Sequence, residues 1–447
     1  MRIALFVGTF PVVSETFILR QVTGLRDMGH EIDIFAETRP DRGRPVQPEV
    51  SNYRLLSRTT YMDLPPDGGY WEMPVLPLTG KTWLPGSSQP VLNIVRVLRA
   101  LPLFMKCLVS SPALTRKVLT RSEYGYQARS LSALYRLGKL LSLPRRRMPY
   151  SVIHAHFGPV ANSFRFAKRL WGAPLVVSFH GYDFAAWPRK SGHPGYGALF
   201  ATADAITANS SYTANELLKL GCPARKLHKL PMGVELRDLP FSARTLAPGE
   251  TVRVLTVGRL VEKKGIEYGI RAIEEVRKQY ANIRYDVIGD GPLRGQVTQL
   301  VTQLGLEMAI NMHGEQNSDY VQRLMSEAHI FMLPSVTAAD GDQEGQGLVL
   351  QEAQAHGLPV VATDHNGFPE SILPGLSGFL VPERDVPALA ERLGYLIGNP
   401  HLWANMGRRG RDYVEEKFDS DKLNHRLAEL YRHAINEYWG NSVMRDT

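Results

Sequence analysis

The stretch Val252-Arg253-Val254-Leu255-Thr256-Val257-Gly258-Arg259-Leu260-Val261-Glu262-Lys263-Lys264-Gly265 carries the pattern on which the fold turns. Its first residues are β-branched or apolar and read as a buried strand, Gly258 breaks the run, and helical spacing resumes from about Ile266. A strand leading straight into a helix is half of a βαβ unit. The alternation continues downstream, with strands expected at Arg284–Ile288, Ile310–His313, Ile330–Leu333, Pro359–Ala362 and Gly378–Val381. Upstream, strands are expected at Arg2–Val7, Glu31–Phe35, Ser151–Ala155, Leu175–Phe179 and Ala205–Ala208, with a helix near Ser14–Met28. The chain therefore reads as α/β, with two series of βαβ units built on parallel sheets.

The 447 residues suit two such units. Asp238–Glu250, with two prolines and no periodicity, reads as the linker between residues 1–237 and 251–418. Residues 419–447 read as a last amphipathic helix, through Leu423, Leu427, Leu430, Tyr431, Ile435 and Tyr438, expected to pack back towards the first unit. Leu64–Pro90 is a proline-rich insertion holding Trp71 and Trp83, whose aromatics suit either core packing or an acceptor.

Composition, 44% apolar and 21% charged, is that of a folded globular protein. Cys107 and Cys222 form no C-x-x-C pair and are expected to be buried thiols in a reducing compartment. The N-terminus lacks a small-residue cleavage site, and no charge-free run of 18 apolar residues occurs, so a cytoplasmic location is expected. The net charge of +8 is concentrated. Between Val91 and Arg147 twelve Lys/Arg face one acid, Glu123, a local +11 that leaves −3 for the rest. The same window is rich in Leu, Val, Phe and Met, and basic amphipathic helices of this kind suit an anionic membrane leaflet. An ordinary solvated basic face is the alternative reading. Nucleic acid is not expected, because no zinc-finger or RNP-type motif accompanies the charge.

Open parallel sheets bind ligands beyond the carboxyl ends of their strands. Arg259 and Lys264, just past such an end, offer a fork and a point charge to a diphosphate and can neutralise a leaving group in place of Mg²⁺. After Ile330–Leu333 and a polar loop comes Glu344-Gly345-Gln346-Gly347-Leu348-Val349-Leu350-Gln351-Glu352. Gly345 and Gly347 at a helix start let backbone N–H groups approach a phosphate, and Glu352, two turns in, is placed to accept from a vicinal diol such as ribose. His180, ending the strand Leu175–Phe179, is expected to face the cleft and to donate to a sugar hydroxyl or stabilise charge. His154 and His156 also end a strand, but are taken to point to opposite faces and so not to share a metal. The loop opening at Gly8, with Thr9 to Glu15, is expected near the donor, as is the turn Gly289-Asp290-Gly291-Pro292. Asp340-Gly341-Asp342 resembles a metal-binding D-x-D within a polar loop; no metal role is assigned to it.

Taken together, Gly258-Arg259 with Lys264-Gly265, Gly289-x-Gly291-Pro292, the E-x7-E element Glu344 to Glu352, Gly357-Leu358-Pro359-Val360-Val361-Ala362-Thr363, Pro369-Glu370 and Gly378-Phe379-Leu380-Val381 resemble the retaining glycosyltransferases of family 4, which implies the GT-B architecture of two facing Rossmann-like domains with a cleft between them. The match covers nearly all of residues 250–420; the first half is looser. Within the family, Phe10–Ile18 is similar to the opening of enzymes that build bacterial exopolysaccharide and colanic-acid-type units on lipid-linked sugars. The resemblance implies Arg259 and Lys264 at the diphosphate, Glu352 at the ribose and His180 by the donor sugar. It also implies Glu344 and the backbone of Gly345, Gln346, Gly347 and Leu348 at the sugar and phosphate, with the region after His313-Gly314 at the base. A nucleotide-sugar co-substrate, no cofactor, a lipid-linked or saccharide acceptor and a peripheral place at the inner membrane face follow as expectations. Gln346 stands where an aromatic residue is common, and Asn366 replaces the first of two glycines before Pro369-Glu370. A soluble acceptor, an epimerase or phosphorylase activity, and a binding protein with a dead site are the competing readings.

Overall fold

The computed structural model describes residues 1–12, 15–40, 46–64, 94–143, 149–181, 183 and 195–443. The first sheet comprises β1 (Arg2–Thr9), β2 (Glu31–Thr38), β3 (Thr59–Tyr61), β4 (Val152–His156), β5 (Leu175–Phe179), β6 (Ala205–Ala208) and β7 (Leu227–Lys229). All its pairings are parallel, in the order β3-β2-β1-β4-β5-β6-β7. The second comprises β8 (Val252–Val257), β9 (Ile283–Ile288), β10 (Ile310–Gly314), β11 (Ile330–Leu333), β12 (Val360–Thr363) and β13 (Gly378–Val381), again all parallel, in the order β10-β9-β8-β11-β12-β13. Strand order reverses beside β1 in one sheet and β8 in the other, the switch points at which such sheets open a crevice. Two Rossmann-like parallel-sheet units are therefore present, as the alternation of apolar runs implied. The edge strands β3 and β7 are not legible in the sequence, because each has three residues, none of them buried, and so no apolar run.

Gly8 lies inside β1, which pairs as far as Thr9↔Thr38, rather than opening the loop. The segment 238–250 lies against the second unit: Arg244 is buried and donates to the carbonyls of Ser326, Met325 and His356. The chain passes between the units twice at one place, where Val234 N–H donates to Phe418 O (2.8 Å) and Ser420 N–H to Val234 O (3.0 Å). The final helix, Ser420–Val443, then returns to the first unit. Its Leu427, Ala428, Tyr431 and Ala434 are buried with Ile18, Leu19 and Val22 of the helix Thr16–Asp27, each large apolar side chain contributing roughly 1.5–3 kcal/mol.

Residues 94–143 of the basic window form helices Ile94–Ser110, Pro112–Val118, Arg121–Arg129 and Ser132–Leu141 against the first sheet. Not all of its cations face solvent. Arg136 is buried against Glu37 at 2.9 Å, and Arg96 is buried over the Tyr135 ring, so the surface is less basic than the count suggested. Arg145 to Arg147 and nearly all of the 64–90 insertion lie outside the described residues. Cys107 and Cys222 are free and buried, and burial pushes both thiols up to about 11.

Candidate active site

Arg259 and Lys264 occupy the carboxyl edge of β8. Gly289, at φ 140°, backs this turn so closely that an added Cβ would stand 2.0 Å from Gly258 O, and one at Gly291 would stand 2.5 Å from Leu260 O. These two glycines thus shape the loop that carries Arg259. Gly314 ends β10, and its carbonyl accepts from Gly289 N–H at 2.8 Å, tying the neighbouring strand end to the same turn. Arg259 is exposed, and its side chain makes no hydrogen bond or ion pair among the described residues. Across the cleft, burial pushes the Glu15 carboxyl up to about 7, against the opposing charge of Arg259.

Lys264 folds back over Gly258 and pairs with Glu344 at 3.2 Å; Lys263 stands 3.7 Å from the same oxygen. Burial alone would raise the Glu344 pKa, but the two ammonium groups outweigh it and hold the carboxyl at about 2. The Glu344 backbone is fixed from behind. Its N–H donates to His365 Nε2 at 3.1 Å, while His365 Nδ1 meets Glu383 Oε1, whose other oxygen accepts from Thr337 N–H at 2.8 Å. An amide can only donate, so His365 Nε2 is an acceptor and the proton sits on Nδ1, facing Glu383. Asn366 explains one departure from the family pattern: it adopts φ 49°, which asparagine tolerates, and its Nδ2 donates to Glu344 O at 2.8 Å.

The helix Leu348–Ala355 begins after Gly347 in the left-handed region, and no side chain among the described residues caps it; Leu350 N–H turns back to Gly347 O, which leaves those of Leu348 and Val349 to an anion. The side chain of Gln346 is turned elsewhere: it is buried and clasps Met232, accepting from its N–H and donating to its O, both at 2.8 Å. Glu352 pairs with Arg20 of the first unit at 3.1 Å. In the D-x-D segment, Asp342 pairs with Lys263 at 3.1 Å and accepts from Gln343 N–H. Among the described residues no group of three or more His, Cys, Asp or Glu is placed to hold a metal.

The first unit meets this loop through Gly181. A Cβ there would lie 2.9 Å from both Gln343 O and Gly345 N, and one on Gly345 would lie 2.9 Å from Asn209 Nδ2. His180 is thus adjacent to the seam, buried, with its ring against Phe17 (4.7 Å) and Phe157 (4.8 Å). Burial depresses its pKa to about 3 and raises that of the buried neighbour Asp183 to about 8. His154 and His156 correct the sequence expectation. They share a face, ring centroids 4.5 Å apart, because residues two apart in a strand point the same way. His154 bonds Tyr431 and Ser178, whereas His156 bonds His180 and Gln21. A further bridge closes the cleft: Glu370 accepts from Ser211 N–H (2.6 Å) and Oγ (3.1 Å) at the start of helix Ser211–Lys219, and pairs with Lys229 at 2.9 Å.

Sequence reasoning missed His365, Glu383 and the Arg20 and Gln21 partners; Glu15 and Asp183 sat in stretches the sequence singles out, the loop Gly8–Glu15 and Phe179–Asp183, without a role of their own. What fold and site define is a two-domain protein of parallel sheets whose cleft edge carries Arg259, Lys264, Glu344 and an uncapped helix start. Residues 240–413 match the family model described as glycosyl transferases group 1, and residues 108–233 match a glycosyl transferase 4-like domain. The chain is 33% identical over 436 residues to the colanic acid biosynthesis glycosyltransferase designated WcaL of Escherichia coli, covering 96% of this chain and 99% of that one. It is 32% identical over 434 residues to the amylovoran biosynthesis glycosyltransferase AmsK of Erwinia amylovora, with the same coverage. Among solved structures, Anabaena Alr3699/HepE in complex with UDP and glucose superposes with a TM-score of 0.64 at 16% identity, over 97% of this chain and 100% of that one. The chain belongs to the group 1, family 4-like glycosyltransferases, and it is a glycosyltransferase of GT-B fold.

Proposed function

We propose that this enzyme moves a hexose from a UDP- or GDP-sugar to a lipid-linked or glycan acceptor in exopolysaccharide synthesis, with retention of configuration and without a metal ion. The observation that carries the reading is the convergence of Arg259, Lys264, Glu344 and the uncapped start of helix Leu348–Ala355 at one cleft edge. Two cations and a helix dipole suit a departing diphosphate, and a carboxylate held ionised suits sugar hydroxyls. The bond from the anomeric carbon to the diphosphate breaks while the acceptor oxygen bonds to the same face, and the acceptor proton passes to the leaving phosphate oxygen. Arg259 and Lys264 take up the charge that develops there, the part otherwise given to a divalent ion. Glu352 meets the ribose once Arg20 shares or releases it, and Gly314 borders the base. The names of WcaL and AmsK support the exopolysaccharide role, and the UDP and glucose in the HepE structure support the donor class.

The acceptor side rests on the helix Ile94–Ser110. Leu98, Leu101, Met105, Leu108 and Val109 are exposed along it, beside the exposed Arg99 and Lys106. An apolar ridge flanked by cations suits the inner, anionic leaflet at which a lipid-linked acceptor is presented. No helix among the described residues is long and apolar enough to cross a membrane. The test of the donor is a thermal-shift screen against UDP, GDP, ADP and their sugar conjugates. A ligand at 100-fold its Kd adds about 2.7 kcal/mol of stability, so one nucleotide class is expected to raise Tm clearly. No shift with any of them sinks the donor assignment. For the acceptor side, salt-sensitive co-sedimentation with phosphatidylglycerol vesicles, lost in Leu101→Asp/Met105→Asp, is expected; salt-insensitive or absent binding favours a soluble acceptor.

A further inference from the structure

His156 Nε2 stands 2.8 Å from Gln21 Oε1, and His156 Nδ1 stands 3.2 Å from His180 Nε2. The two imidazole planes are nearly parallel, 13° apart with centroids 5.5 Å apart, an arrangement that suits an edge-to-edge hydrogen bond between ring nitrogens. The remaining nitrogen, His180 Nδ1, is buried and has no hydrogen-bond partner among the described residues. The Gln21 carbonyl oxygen has only lone pairs to offer, so His156 Nε2 must carry the proton and donate to it. Neutral His156 then has a lone pair on Nδ1, and the N–H that faces it belongs to His180 Nε2. His180 Nδ1 is consequently a bare acceptor.

We propose that Gln21 and His156 are positioning residues that fix the tautomer of His180, so that His180 offers a lone pair, and not an N–H, to a hydroxyl of the donor sugar. This rests on the placement of His180 beside the donor and reverses the polarity expected from its position alone. Both histidines stay neutral, because burial lowers His156 well below its ordinary value and His180 to about 3. Phe17 and Phe157 hold the ring between them, which disfavours a flip that would exchange its nitrogens. The ligand chemistry selected is a hexose that still carries a hydroxyl at that position; a deoxy sugar leaves the buried nitrogen unpaired.

The protein labelled with ¹⁵N-histidine gives a direct reading. Two-bond ¹H–¹⁵N correlation at neutral pH, with His180 identified by its loss in His180→Ala, is expected to show the Nε2–H tautomer. In Gln21→Met the single tautomer should give way to a mixture. Donor turnover, measured with whichever of UDP-glucose or GDP-mannose stabilises the wild type, should fall at least ~10-fold in His156→Leu with KM little changed. His156→Asn, which keeps an acceptor towards His180, should restore most of it. The Nδ1–H form in the wild type overturns the relay whatever the activity. An Nε2–H form with unchanged turnover in His180→Ala overturns instead the placement of His180 at the donor, and with it the use of the lone pair.

Discussion

Replacing Lys264 by methionine keeps most of the side chain's volume and removes the charge 3.2 Å from Glu344. Burial opposes ionisation of Glu344, and Lys264 is the larger of the two charges that reverse this and take its pKa from 4.5 to about 2. A carboxyl so depressed on folding contributes roughly 3 kcal/mol at neutral pH. The sign follows from proton binding: the unfolded chain takes up protons first, so the stabilisation is complete above about pH 5 and disappears as pH falls through about 2. With Lys264 gone, burial dominates and the carboxyl shifts upward, leaving Lys263 as its remaining cation. Urea unfolding should therefore show Lys264→Met less stable than wild type by about 3 kcal/mol at pH 7 and by only about 1 kcal/mol at pH 3. In the same protein, donor turnover should fall at least ~10-fold, since a charge-assisted contact to the leaving group is lost. An equal destabilisation at both pH values would refute the electrostatic account of the pair, and unchanged turnover would remove Lys264 from the donor site.

Arg259→Ala should lower donor turnover at least ~10-fold. Because the Arg259 side chain has no ion pair among the described residues to lose, its Tm should stay within a few degrees of wild type; a large drop in Tm would assign Arg259 to stability. Incubation with EDTA should leave activity intact, whereas complete loss restored by Mn²⁺ would bring Asp340 and Asp342 back as ligands. Glu370→Ala removes the bonds to Ser211 and Lys229, a part-exposed pair plus a helix N-terminal contact worth together about 1–2 kcal/mol, so the cleft should open ~5–30-fold more often. Small-angle scattering of the ligand-free protein should then give a larger radius of gyration, and an unchanged value would show that the other cross-domain contacts suffice.

The sequence by itself determined the two parallel sheets apart from the edge strands β3 and β7, the limits of the other strands to within three residues, and the loop and helix start that bring Arg259, Lys264 and Glu344 to one edge. Those features are local: an apolar run makes a buried strand, a glycine breaks it, and a βαβ unit places the next loop at a carboxyl end. Tertiary structure alone decided what each polar group meets. Glu352 faces Arg20, Glu370 faces Ser211, and Gln346 clasps Met232, because domain closure and not chain proximity sets these pairs. His365 was invisible as a brace, since only the packing of β12 beside β11 puts its ring behind the Glu344 amide. His156 could have been placed on the face of His154 from strand periodicity, but its bond to His180 requires that β4 and β5 lie side by side in register, His156 opposite Ser178. Hydrophobic pattern fixes which elements form, whereas the identity of a hydrogen-bond partner depends on which elements become neighbours, and that is decided only when the whole chain packs.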